Sequence, residues 1–241
     1  MTIAAAVNQT IDRTPPGQIF GYEVFPQYQE APGAVVRAVN RSVASNRLKR
    51  VSKGRFYVPR KGVLGDMPLS DEARLRDELY RNGQRCGYVT GPALHNRLGL
   101  TTQVPKTITV ATNRAAQTKN FGTIRIKLAP RRVPISDSVV PLLEILDVLR
   151  DLKQLPDAGI GRALKTLTKS LMDLTRADRK ELQRLAVDYY NAGTRALLGM
   201  LLTRNRQEVL PTLRSSINPT TRFNLGIDSG EWPEGRAWNI R

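Results

Sequence analysis

Residues 37–61 are rich in basic side chains and lack carboxylates: they contain nine Lys and Arg and no Asp or Glu. Arg can bond guanine, and Asn can bond adenine, through two hydrogen bonds at once. Arg37, Asn40 and Arg41 have the three- and four-residue spacing that would place them on one face of a helix. Like charges this dense repel one another unless an anion lies nearby, so the pattern predicts contact with nucleic acid or anionic lipid. The alternative is a solvated basic face that only promotes solubility.

Cys86 and His95 are of residue types that can form a thiolate–imidazole pair for nucleophilic catalysis. They are nine residues apart, and no third orienting group or sequence signature accompanies them. The pattern favours a buried Cys86 and a His95 on the surface of a short helix. Because they are the only Cys and the only His, the sequence excludes a multi-thiolate zinc site and paired-histidine metal motifs. We expect a protein that is not an enzyme and has no catalytic residue, metal or cofactor.

The elements that would position the basic residues begin with three short helices. Residues 3–11 predict a helix that the Pro-Pro-Gly sequence at 15–17 ends, and residues 19–25 predict a second short helix or turn closed by Pro26. A third helix begins at Pro32 and has an apolar stripe on its inner face. The residues of this stripe are Val35, Val36, Val39 and Val43.

A β-hairpin follows the third helix. Residues 47–52 alternate apolar and basic side chains, the Lys-Gly pair at 53–54 predicts a tight turn, and residues 55–59 are aromatic and β-branched. This order is typical of a winged helix-turn-helix, whose third helix enters the major groove while the hairpin lies along the adjacent backbone. A small α/β packing module with solvated arginines is the alternative. The predicted phosphate contacts are Lys49, Lys53 and Arg55, and the full set of candidate DNA-binding residues is Arg37, Asn40, Arg41, Arg47, Lys49, Arg50, Lys53 and Arg55.

The distribution of charge divides the chain into four segments. Net charges are +7 for residues 1–61, +7 for 62–135, +3 for 136–206 and 0 for 207–241, within a total of +17. The length of 241 residues allows one large domain or about two to three small ones. No apolar run approaches the ~20 residues of a membrane span, and the N-terminus lacks the features of a signal peptide. We therefore expect a cytoplasmic protein that does not bind membranes.

The second segment predicts a small α/β domain. After a loop at residues 61–68, Ser70 can cap a helix, and Pro92 opens a brief further helix. Residues 104–112 and 121–129 have the composition of strands.

The third segment predicts a helical bundle, because its leucines recur at three- and four-residue spacing. Thr175 and Asp178 predict a capping box, and carboxylates that alternate with arginine, such as Asp147 and Arg150, predict ion pairs on helix surfaces. Residues 207–241 predict an irregular strap whose tryptophans anchor it to the bundle. The predicted fold class is α+β, with an N-terminal winged helix-turn-helix, a small α/β middle domain and a C-terminal helical bundle.

The string LGLTTQVP at residues 98–105 lies within the longer run GPALHNRLGLTTQVPKTITVAT, downstream of the hairpin sequence RLKRVSKGRFYVPRKG. Over residues 30–132 these sequences resemble the AbiEi-type antitoxins of bacterial abortive-infection operons. The resemblance implies an N-terminal winged helix that represses the protein's own operon and a following domain that counteracts a co-encoded nucleotidyltransferase-like toxin. It implies DNA contacts at Arg37 and Arg41 on the helix and at Lys49, Arg50, Lys53 and Arg55 on the hairpin. The resemblance does not extend over residues 136–241.

The expected partners are the double-stranded DNA of the protein's own promoter and a cognate toxin. An apolar stripe left uncovered on the bundle would form a homodimer or toxin interface. The alternative function is that of a basic RNA-binding or ribosome-associated protein, which the same charge suits. The sequence lacks the closely spaced exposed aromatic residues of an RNA-recognition sheet, which disfavours this alternative.

Overall fold

The computed structural model describes residues 2–155 and 159–241, which form a mixed α+β fold with several small sheets and a helical C-terminal region. The chain forms two compact units, residues 1–84 and 85–241. The boundary between them lies inside the segment 62–135, and the four-segment division remains a prediction. Within the described ranges, every helix is too short or too polar to cross a membrane.

The first unit contains helices packed on a small sheet, followed by a second hairpin and a further helix. Its elements are α1 (Ile3–Arg13), β1 (Ile19–Phe20), α2 (Pro32–Ala44), β2 (Lys49–Ser52), β3 (Arg55–Tyr57), β4 (Arg60–Gly62), β5 (Gly65–Met67), α3 (Asp71–Leu79) and β6 (Tyr80–Arg81). Short 3-10 turns at Tyr22–Val24 and Pro26–Tyr28 connect β1 to α2.

The prediction of a helix or turn at residues 19–25 is wrong at its start, because β1 adds a third strand to the predicted hairpin. It pairs antiparallel with β3, with Phe20 opposite Phe56, so the sheet order is β1-β3-β2. Pro26 begins a 3-10 turn instead of ending a helix, since its fixed φ suits a first helical position. The β2–β3 hairpin is confirmed, and Gly54 in its turn has a φ of +70° that favours glycine.

Aromatic rings fix this sheet against α2. The Phe20 ring centroid lies 6.0 Å from that of Phe25 and 6.4 Å from that of Phe56. Tyr22 packs edge-on against Phe56 at 5.4 Å and stacks on Tyr28 at 5.0 Å. The buried phenylalanines share one core with the inner face of α2. The apolar core, rather than the basic residues, therefore sets the position of the hairpin.

A second hairpin replaces the loop predicted at residues 61–68. Strands β4 and β5 pair antiparallel with Gly62 opposite Gly65, and their residues are exposed. The predicted cap at Ser70 is confirmed, because its hydroxyl accepts a hydrogen bond from the Ala73 amide at 3.2 Å at the start of α3.

The second unit combines a four-stranded sheet with a group of helices. Its elements, after the connecting strand β7 (Gln84–Arg85), are β8 (Gly87–Thr90), α4 (Pro92–Arg97), β9 (Thr107–Thr112), β10 (Gln117–Asn120), β11 (Arg125–Pro130), α5 (Val140–Arg150), α6 (Ile160–Asp173), α7 (Arg176–Tyr189), α8 (Ala192–Arg204) and α9 (Pro211–Ser215). The sheet order is β10-β11-β9-β8, with β9 and β11 parallel. The strand β10 is absent from the sequence prediction, because its residues QTKN are polar and lie at an edge.

The helices α5 to α8 share one leucine-rich core, and the C-terminal strap contributes to it as predicted. The capping box of Thr175 and Asp178 is confirmed at the start of α7. Trp232 and Trp238 are both buried, and the Trp238 indole N–H donates to the Thr203 hydroxyl at 2.9 Å. A Cβ atom on Gly199 of α8 would lie 2.4 Å from the Trp238 ring, so this close approach requires glycine.

Asp147 forms the ion pair with Arg150 that its spacing predicts, but its carboxylate lies inside the protein and not on a helix surface. Its side chain is fully buried, and its carboxylate accepts hydrogen bonds from the hydroxyls of Tyr88 at 3.1 Å, Thr90 at 2.5 Å and Tyr190 at 2.8 Å. Arg150 donates to it at 2.6 Å. Burial and the nearby Asp147 charge raise the pKa of both tyrosines, which keeps their hydroxyls protonated as donors. The cluster connects the sheet to the helices.

We expect Asp147→Asn to lower the free energy of unfolding by about 3 kcal/mol, because the substitution removes a buried charged acceptor from three hydroxyls and leaves Arg150 with Asp151 as its remaining carboxylate partner. Urea unfolding followed by tryptophan fluorescence measures this, since both tryptophans lie in the second unit. Asp188→Asn, at an exposed position of α7, is the matched control and should change stability by less than about 0.5 kcal/mol. Equal effects of the two substitutions would contradict the assigned role.

Candidate nucleic-acid interface

Helix α2 presents the three predicted base-reading residues on one exposed face. Arg37, Asn40 and Arg41 are exposed, whereas Val35 and Val39 are completely buried. The helical period explains the separation, because residues three and four apart lie on the same side of a helix. The other residues of the predicted stripe, Val36 and Val43, are half-buried, and Ala38 and Ser42 complete the inner face.

Arg50 connects the helix face to the β2–β3 hairpin. Its guanidinium donates to the Asn40 side-chain oxygen at 2.8 Å and lies 5.4 Å from the centroid of the Phe56 ring. Phe56 belongs to the buried core, so the arginine rests on a fixed support. The outer face of α2 and the strand β2 therefore form one continuous polar surface.

Further cations of this surface lie on the hairpin. Lys49 donates to the Asn46 side-chain oxygen at 2.9 Å, and Lys53 lies exposed in the hairpin turn. No acidic side chain among residues 2–155 and 159–241 pairs with Arg37, Arg41 or Lys53. These three charges are consequently available to an external anion.

Two predicted DNA contacts, Arg47 and Arg55, form ion pairs with acids of the first unit. Arg47 donates to Asn8 at 2.9 Å and to Asp12 at 2.6 Å, which fixes the loop after α2 to α1. Arg55 is only 11% exposed in its side chain and pairs with Glu23 at 2.8 Å and with Asp77 of α3. All three acids lie outside the run 37–61, so the absence of acids within that run does not predict the pairing. Arg55 therefore supports the surface from beneath, whereas Arg47 is exposed but tied to α1 by its ion pair.

A second basic region escapes the sequence prediction. Residues 79–136 contain ten Lys and Arg and no Asp or Glu. All five acids of the segment 62–135 precede residue 79, so the net charge of the whole segment hides this acid-free run. On β11, Arg125 and Lys127 are exposed while the alternating Ile126 and Leu128 are buried. Counting charges in a sliding window would have detected the region.

His95 does not lie on the surface of its short helix as predicted. The ring is 3% exposed on α4, and in the described part of the chain its Nε2 atom has no hydrogen-bond partner. Cys86 is half-buried, and its carbonyl accepts a hydrogen bond from the Thr112 hydroxyl at 2.7 Å. Burial lowers the pKa of His95 and so keeps the ring neutral. The nearby Asp151 charge raises this pKa, and the Arg150 charge lowers it further. A buried imidazole of this kind suits a packing role.

A comparison with family models finds one described as a family of unknown function (DUF6088), which matches residues 6–158. The match begins within α1 and ends between α5 and α6, so both basic regions lie within it. No curated protein matches the chain. Among solved structures, the chain is similar to the crystal structure of the RV2827C protein from Mycobacterium tuberculosis, with 14% identity, a TM-score of 0.49 and coverage of 100% of this chain and 91% of that chain.

The lowered pKa of His95 predicts a loss of stability in mild acid. Below the unfolded-state pKa of about 6.5, the unfolded chain takes up a proton that the folded chain resists, so the folded state is disfavoured as pH falls. We expect the urea midpoint measured by tryptophan fluorescence to be constant above about pH 7 and to decrease toward about pH 5.5. His95→Gln, which cannot titrate, should remove this decrease, since the chain has one histidine. The same decrease in both proteins would contradict the assignment.

Proposed function

The chain belongs to a family of unknown function, DUF6088, and we propose that it is a non-enzymatic protein that binds double-stranded DNA. Residues 1–61 act as a winged helix-turn-helix, in which α2 enters the major groove and the β2–β3 hairpin is the wing. The observation that carries the proposal is the exposed row of Arg37, Asn40 and Arg41 on α2, with the exposed Lys53 on the adjacent hairpin. The positive charge of such a row is complementary to the negative phosphates that flank a DNA groove.

The proposed base contacts follow from the chemistry of the α2 side chains. Arg37 and Arg41 can each donate two hydrogen bonds to guanine O6 and N7, and Asn40 can pair with adenine. Arg50 holds the Asn40 carboxamide in one orientation, yet the amide retains its N–H donors and a second lone pair on its oxygen. Preorganisation by Arg50 therefore favours a defined base contact over a solvated side chain.

Lys49, Arg50 and Lys53 are the proposed phosphate contacts of the wing. They carry no sequence information themselves, but they set the orientation of α2 on the duplex. Arg47 and Arg55 serve as positioning residues, because their ion pairs with Asp12 and Asp77 hold α1 and α3 to the rest of the first unit.

The proposed biological role is that of an autorepressor and antitoxin. It rests on the resemblance of residues 30–132 to AbiEi-type antitoxins, in which the winged helix represses the operon and a separate domain counteracts a nucleotidyltransferase-like toxin. The near-neutral helical segment 136–206, with a net charge of +3, suits contacts with a toxin or a second copy better than contacts with phosphates.

A second candidate function is RNA binding or association with the ribosome. The observation that favours it is the second basic region, residues 79–136, with Arg125 and Lys127 exposed on β11. This surface lies outside the proposed winged helix, and its alternating cations suit a phosphate backbone of either nucleic acid. Equal or tighter binding of structured RNA than of promoter DNA would favour this candidate.

We expect Arg37→Ala and Arg41→Ala each to weaken binding of the protein's own promoter by about 1 to 3 kcal/mol, with a smaller effect on random duplex. Lys53→Ala should weaken both duplexes by a similar factor, since phosphate contacts do not distinguish sequences. Gel-shift titrations measure these changes. Arg162→Ala, at an exposed position of α6, is the matched control and should bind as the wild type does.

Two results of that titration would contradict the specific-repressor proposal. One is equal wild-type affinity for promoter and random duplex. The other is an equal loss on both duplexes for Arg37→Ala, which would exclude α2 as the element that reads bases. If about five cations contact phosphates, the logarithm of the affinity should fall with the logarithm of salt concentration with a slope of about −4 to −5.

Toxin control and DNA binding should be separable. Cells expressing a nucleotidyltransferase-like toxin from the neighbouring reading frame would receive either the wild-type chain or the Arg37→Ala, Arg41→Ala, Lys53→Ala variant. We expect both to restore growth, because the substitutions leave residues 85–241 unchanged. Loss of rescue by the variant would indicate that protection operates through repression alone.

A further inference from the structure

The β4–β5 hairpin has an apolar tip that nothing in the described chain covers. Val63 and Leu64 are fully exposed, and Met67 on β5 is half exposed. Among the described residues, this hairpin carries three of the seven exposed large apolar side chains. Isolated apolar residues on a surface are ordinary, but their concentration on a projecting turn indicates a contact surface.

Val63 and Leu64 occupy the two turn positions between the paired glycines Gly62 and Gly65. Gly65 adopts a φ of +114°, so the sequence supplies glycine where the backbone requires it. The turn positions themselves are usually taken by Gly, Pro, Asn, Asp or Ser, which favour turns and solvate well. Two branched apolar side chains at the turn stabilise neither the hairpin nor the core, and a broken local preference of this kind is expected where a residue has a function.

We propose that the β4–β5 tip is a wedge that inserts into the minor groove of bound DNA and bends the duplex. This inference rests on the proposed function and adds to it a second element, beyond the wing, that touches DNA. Minor-groove proteins insert apolar side chains between base steps and bend the DNA away from the inserted residue.

The charges around the tip suit DNA. Arg60 and Lys61 precede the tip on β4 and are exposed. The one carboxylate of the hairpin, Asp66, pairs with Lys61 at 2.5 Å and with Lys49 of β2 at 3.5 Å. Hydrogen bonding by Lys61, followed by that of Lys49, keeps the pKa of Asp66 below its usual range, so the pairing persists at neutral pH.

The same pair of contacts places the two hairpins together. Lys49 belongs to the proposed wing and Lys61 to the second hairpin, and Asp66 bridges them. The apolar tip is therefore continuous with the proposed phosphate-contacting surface. If the wing lies along the backbone beside the major groove as proposed, the hairpin bridged to it would lie toward the neighbouring minor groove.

The size of the apolar tip decides between DNA and other occupants. A specific protein interface needs about 800 Å² on each partner, which two turn residues with polar flanks do not provide. Stable attachment to a lipid surface likewise needs a larger apolar face or more than one anchoring element. A DNA wedge needs only one or two apolar side chains at a single flexible base step. Minor-groove DNA is therefore the occupant that fits.

The test uses the full chain and duplexes of about 30 base pairs that tile the region upstream of its own coding sequence, each with a donor and an acceptor dye at its two ends. We expect wild-type protein to raise the efficiency of energy transfer, because bending shortens the distance between the ends. Val63→Ser with Leu64→Ser should abolish this rise and weaken binding about tenfold. Leu64→Met should retain the rise, since Met is also a wedge residue.

Val104→Ser is the matched control, because Val104 is an apolar residue that is 82% exposed in the second unit. It should bend DNA as the wild type does. The wedge is overturned if the double Ser variant still bends DNA fully. It is also overturned if that variant loses only self-association, or only binding to phosphatidylglycerol vesicles. DNA binding without bending by the wild type overturns the wedge alone, whereas no binding to any duplex overturns the proposed function as well.

Discussion

Within the described residues, four side chains donate to the buried carboxylate of Asp147. Tyr88 and Thr90 reach it from β8, Arg150 from the next turn of α5, and Tyr190 from the end of α7. A buried charge is costly unless its hydrogen-bonding capacity is filled, so these elements must meet at one point. The sheet and the helices of the second unit are therefore held in register by an electrostatic requirement as well as by leucine packing.

The basic residues of the first unit form two groups. One group forms ion pairs within the unit, and the other is exposed without an acidic partner among the residues that the structure describes. Arg47 and Arg55 are neutralised by acids from other elements, and their pairs hold α1 and α3 in place. Arg37, Arg41 and Lys53 have no such compensation within the described ranges and remain on the surface. The electrostatic repulsion among the exposed cations is an unfavourable term in the free protein, and an anionic partner would relieve it.

Local features are the part of this structure that the sequence predicts well. The α2 face, the β2–β3 hairpin, the Ser70 cap and the Thr175 capping box each depend on residues within a few positions of one another. The features that the sequence does not predict depend on partners that are distant along the chain. Asp147 meets Tyr88 across 59 positions of sequence, and Arg55 meets Asp77 across 22. Periodicity and turn chemistry carry no information about such pairs, so the sequence predicts neither the burial of Asp147 nor the ion pair between Arg55 and Asp77.

The close fit between Gly199 and Trp238 has a consequence for the order of folding during synthesis. The core of the second unit includes Trp232, Trp238 and Ile240, so it cannot close until those residues have left the ribosome. The core of the first unit uses only residues between Val7 and Phe56 and can form while most of the chain is still being translated. A nascent chain therefore carries the folded, positively charged core of the first unit while the helices of the second unit are still incomplete. The face of α8 that packs on Trp238 is covered only after the strap has been synthesised.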